Sequence, residues 1–125
     1  MSFDTQPVNG KPILIQTLHA DYASSDSAGL LAEASKALDG LTEQVYYVLD
    51  LRAANLSFGD IVLNANLATR GIRPAFYHPN VIETLIVTRD AALRVAAMGL
   101  RHPVFGSAKM KVFEIYEEAL AYCGP

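Results

Sequence analysis

The sequence predicts an α/β domain: a mixed, mostly parallel five-stranded sheet with an antiparallel N-terminal edge hairpin and four helices. Three observations carry that expectation. The run Val45 to Leu51 is β-branched, aromatic or leucine except at Asp50, which suits a strand covered on both faces. After an opening hairpin, strand-like and helix-like patterns alternate, and parallel neighbours need helix-sized crossovers of this kind. Finally, 125 residues are enough to bury one core and too few for two, so one domain is expected over 1–125.

The elements follow in order. Ser2 to Val8 reads as a weak edge strand and Pro12 to His19 as a stronger one, joined by Asn9-Gly10, the dipeptide favoured by a type I′ turn. A polar stretch then leads into a helix from about Ser25 to Leu38, with Leu31, Ala34 and Leu38 on one stripe. Ser24, Ser25 and Asp26 are its candidate N-caps, and Gly40 stands at the C-cap. The central strand Val45–Leu51 comes next. The second helix starts at Ser57, where an acid three residues on resembles a capping box, and stops at Gly71.

Ile72 to Asn80 contains Pro74 and Pro79 and forms the longest loop. Val81 to Thr88 is the fourth strand, Ala91 to Leu100 the third helix, Met110 to Phe113 the last strand, and Ile115 to Cys123 a short final helix. Crossovers between the parallel strands are expected to be right-handed.

Composition excludes several function classes. A net charge of -3 and the scatter of the ten basic residues leave no basic face for nucleic acid. A single cysteine, Cys123, permits neither an intrachain disulfide nor a cysteine metal site, and no cofactor motif is present. No segment approaches 18 consecutive apolar residues and the N-terminus lacks a signal-peptide pattern, so a cytoplasmic protein is expected. Hydrophobic residues at 51% and a mean hydropathy of +0.20 are high for a domain of this size, and a homodimer interface would absorb the excess.

The residues carrying chemistry are few. His19, Asp21 and Ser24 or Ser25 follow one strand, but polar residues there are what a turn and N-cap require, and a catalytic triad is the lesser reading. No Gly-x-Ser-x-Gly, phosphate loop or His-Glu-x-x-His occurs, so no catalytic and no metal-ligating residues are assigned. His78 reads as a strand-entry residue, and His102 as a residue near a helix C-terminus. Ligands of open α/β sheets bind beyond the carboxyl ends of the strands. On that edge the candidate ligand-binding residues are His19, Arg52, Ser57 and Arg89. Arg52 and Arg89 each follow a strand directly, and the plain alternative is that they pair with Asp50 and Asp90.

The order of elements, the strand ending in Asp50-Leu51, Tyr77-His78-Pro79-Asn80 opening a strand, and the ending Lys111-Val112-Phe113-Glu114 with Glu117-Glu118-Ala119-Leu120-Ala121-Tyr122 resemble the SpoIIAA-like, or STAS-like, family of small bacterial domains. The resemblance implies a mixed sheet with one antiparallel edge strand and helices mostly on one side. It also implies a non-enzymatic role, acting through a regulatory protein partner or a small ligand, including lipids. Antagonists of this type switch partners when a serine in an Asp-Ser-Ser-Gly motif is phosphorylated. Here the matching stretch reads Asn55-Leu56-Ser57-Phe58-Gly59-Asp60, with Gly59 at the phosphorylated position and Ser57 two residues early. Ser57 is therefore the candidate phosphorylation site of that alternative. A structural homo-oligomer, or a small hydrolase or transferase using the polar strand ends, are the other expectations to be weighed.

Overall fold

The structure is a computed structural model that describes residues 2–8, 10–54, 78–99 and 109–124. It contains a five-stranded sheet of β1 (Phe3–Pro7), β2 (Ile13–Leu18), β3 (Val45–Asp50), β4 (Val81–Val87) and β5 (Met110–Phe113). The strands lie in sequence order, with β1 antiparallel to β2 and every later pair parallel. The helices among the described residues are α1 (Ser27–Asp39), α2 (Ala91–Gly99) and α3 (Tyr116–Tyr122). The helix predicted from Ser57 to Gly71 lies outside the described residues, as does most of the loop after it.

Side-chain alternation builds two cores. On one face Leu14, Leu18, Tyr47, Leu49 and Ile86 pack under Leu30, Leu31, Ala34 and Leu38 of α1. On the other, Ile13, Ile15, Val48, Leu85 and Val87 pack under Ala119 and Cys123 at α3. Period-2 strands between two covers explain why β3 reads as nearly continuous apolar sequence. The resemblance implies helices mostly on one side; among the described residues α1 covers one face and the terminal helix α3 the other, because both faces of β2 to β4 are apolar and each needs a cover.

Local chemistry adjusts the predicted boundaries. The Val8–Lys11 turn closes through Lys11 N–H to Val8 O at 3.2 Å with Gly10 at φ 75, a left-handed value suited to glycine. Lys11 and Pro12 widen the loop beyond a two-residue hairpin, so the ladder ends at Pro7 opposite Leu14. The first helix begins two residues later than expected, after a 3₁₀ turn over Ser24–Asp26. Asp26 is its N-cap residue but makes no cap bond; its carboxylate accepts from Ala23 N–H at 3.0 Å instead. Gly40 occupies the C-cap at φ -81, so its place there does not depend on left-handed backbone.

Two buried polar side chains of the α1 core satisfy each other, whereas the buried Thr84 hydroxyl has no partner among the described residues. Gln16 donates to the Leu30 carbonyl at 2.9 Å and to Thr5 Oγ1 at 3.0 Å, and accepts from the Tyr47 hydroxyl. At the amino edge of the sheet, His78 and Asn80 clasp the end of α1. Asn80 Nδ2 donates to the carbonyls of Leu38 (2.9 Å) and Leu41 (3.2 Å). His78 Nδ1 accepts from Asn80 N–H, so the ring proton lies on Nε2 and is donated to Asp39 at 2.7 Å. His78 is thus the strand-entry residue its sequence position suggested, and it also ties β4 to α1.

Candidate functional site

The carboxyl ends of β3 and β4 are adjacent, with Asp50 opposite Val87. Past these ends a cleft of about 390 Å³ opens. Leu51, Ala54 and Leu93 supply its apolar lining; Arg52, Thr88, Arg89 and Asp90 supply its polar lining. Neither imidazole nor thiol stands among these residues.

Each polar group is placed by its local backbone. Asp50 is the last residue of β3 and only 4% exposed, so its carboxylate requires partners. Arg52 provides them: its backbone N–H (3.1 Å) and Nε (2.9 Å) donate to Oδ1, and Nη2 (2.8 Å) to Oδ2. The guanidinium also lies over the Tyr116 ring, 4.4 Å from the centroid. These bonds to Asp50 hold Arg52 more firmly protonated than usual, while burial followed by the Asp50 charge pushes the Tyr116 hydroxyl up. Asp90 turns its Oδ1 onto the first amides of α2, accepting from Ala92 (2.8 Å) and Leu93 (3.2 Å), and its own N–H donates to Thr88 Oγ1. Arg89 is exposed and forms no ion pair among the described residues.

The two strand-end arginines therefore line one cleft but differ in role. Arg52 pairs with Asp50, as the plain alternative held, although Asp50 is buried rather than solvated. Arg89 does not pair with Asp90, because that carboxylate caps α2. His19 is not at the cleft: its Nε2 donates to Asp4 Oδ2 at 2.7 Å, towards the β1 edge, and this bond also takes the imidazole away from the suggested His, Asp, Ser trio. Ser57 lies outside the described residues, so neither its cap nor its phosphorylation is placed. The sequence reading missed the Tyr116 contact, since nothing local links residues so far apart in the chain.

Among the described residues no cluster of three or more His, Cys, Asp or Glu side chains could hold a metal ion. No helix among them is long and apolar enough to cross a membrane.

No family profile matches the chain, and no curated protein matches it. A search of solved structures finds an uncharacterized protein from the DUF3478 family with a SpoIIAA-like fold, from Shewanella loihica PV-4. It is 14% identical, with a TM-score of 0.64, over 98% of this chain and 92% of that one. Identity at that level speaks to architecture alone: this chain has a SpoIIAA-like fold.

Proposed function

We propose that this chain is a non-catalytic binding domain that holds a small molecule with an anionic group in the cleft between the β3 and β4 ends. The observation that carries the reading is Arg89, an exposed guanidinium without a carboxylate partner among the described residues, lining a concave site at the strand edge where α/β sheets bind ligands. A guanidinium offers a planar fork of donors matched to carboxylate or phosphate. Among the described residues the cleft has hydrogen-bonding groups and an apolar wall, with no imidazole or thiol among them. A binding role also accords with the regulatory character that the resemblance to the STAS type implies.

Thermal denaturation with a panel of carboxylates and inorganic phosphate tests it. A ligand at a hundredfold its Kd stabilises by about 2.7 kcal/mol, a readily measured rise in Tm. Arg89→Ala should abolish that rise and leave the free protein within ~0.5 kcal/mol of wild type, as expected for an exposed side chain. Arg52→Ala is the wrong probe, because it also strips the partner from buried Asp50. If no member of the panel moves the wild-type Tm, or if Arg89→Ala responds like wild type, the proposal fails.

A further inference from the structure

We infer that the ligand of this cleft is a zwitterion, an α-amino acid with an apolar side chain; the inference rests on the anion-binding reading and narrows it. The observation is the pairing of opposite charges on one wall. Arg89 and Asp90 are consecutive and both line the cleft. Asp90 caps α2 through Oδ1 alone, and no bond to Oδ2 is made among the described residues. That oxygen is an anionic acceptor next to the cationic donors of Arg89. Thr88 accepts one bond from Asp90 N–H, which leaves its hydroxyl hydrogen to donate.

A purely anionic ligand drawn to Arg89 would set its charge beside the Asp90 carboxylate, and such like-charge juxtaposition is costly. A molecule carrying ammonium and carboxylate on one carbon satisfies both residues. Its side chain then meets Leu51, Ala54 and Leu93, the apolar part of the same lining. Arg52 is neutralised by Asp50 and adds hydrogen-bond donors without adding net charge. The cleft, about 390 Å³, is within the range of small-molecule sites and has room for a residue of leucine size.

The test compares three probes on the full chain by titration calorimetry: L-leucine, 4-methylpentanoate, which lacks the ammonium, and 3-methylbutylamine, which lacks the carboxylate. Leucine should bind at least tenfold more tightly than either. Asp90→Asn, with Asp90→Ser as a second neutral cap if the first fails to fold, should remove leucine's advantage over 4-methylpentanoate, since both residues cap helices well. Arg89→Ala should lose both carboxylates. Equal binding of leucine and 4-methylpentanoate in wild type, or an unchanged leucine preference in the Asp90 variants, overturns the zwitterion while leaving the anion reading in place. Absence of binding by both carboxylates overturns the zwitterion, and the anion reading falls with it only if inorganic phosphate and the other carboxylates also leave the wild-type Tm unmoved.

Discussion

Replacing Arg52 by alanine should destabilise the fold far more than its surface position suggests. The Asp50 side chain is 5% exposed and would keep one backbone amide bond, from Arg52 N–H, while losing the Nε and Nη2 bonds. Removing one partner of a buried pair costs about 3–5 kcal/mol. Arg52 is itself 41% exposed, so water reaches the vacated side of the carboxylate and the cost falls to ~2–3 kcal/mol. That figure includes roughly 0.5–1 kcal/mol for the lost stacking on Tyr116.

Equilibrium urea denaturation should show the lower midpoint with an unchanged m-value, and Tm should fall by roughly 6–12 °C. Arg52→Lys keeps the charge without the two-pronged geometry and should lose about half as much. Adding Asp50→Asn to Arg52→Ala should recover roughly 1 kcal/mol, because a neutral amide is less costly to bury than an unpaired carboxylate. An Arg52→Ala variant within ~0.5 kcal/mol of wild type, or a double variant weaker than the single one, would refute the assignment of Arg52 as the partner that keeps Asp50 buried.

Burial pushes the Tyr47 hydroxyl well above the usual tyrosine range, and burial likewise pushes the Cys123 thiol up to about 11. The folded state thus keeps protons that the unfolded chain releases, so this stability is fully present below about pH 9 and is lost as pH rises further. An absorbance titration of the six tyrosines should show one phase that appears only with alkaline unfolding, and Tyr47→Phe should remove it. Asn80→Ala deletes two donors to the end of α1 and should cost about 1–2 kcal/mol in urea; a neutral outcome would show that the clasp is held by His78 and Asp39 alone. A homodimer is proposed from the apolar composition, to which the 73% exposure of Val95 adds, and light scattering should give twice the 13.5 kDa chain mass; a mass of one chain would count against it.

The five strands were legible in the sequence, though their full order was not, because burial repeats along a strand every second residue and every third or fourth along a helix, a local signal. Val45 to Leu51 announced a strand with two covered faces, and its partners β2 and β4 do flank it. Even the useful part of the site was local, since Arg52 and Arg89 each follow a strand end. What the sequence by itself did not determine is which charge meets which. Arg52 is held by Asp50 and Tyr116, Asp90 turns to the α2 amides, His19 reaches Asp4, and Asn80 caps a helix 39 to 42 residues away. Such pairs depend on strand order and on which helix covers which face. A two-residue shift in a loop redirects a side chain, and the apolar pattern that specifies the strands carries no information about that choice.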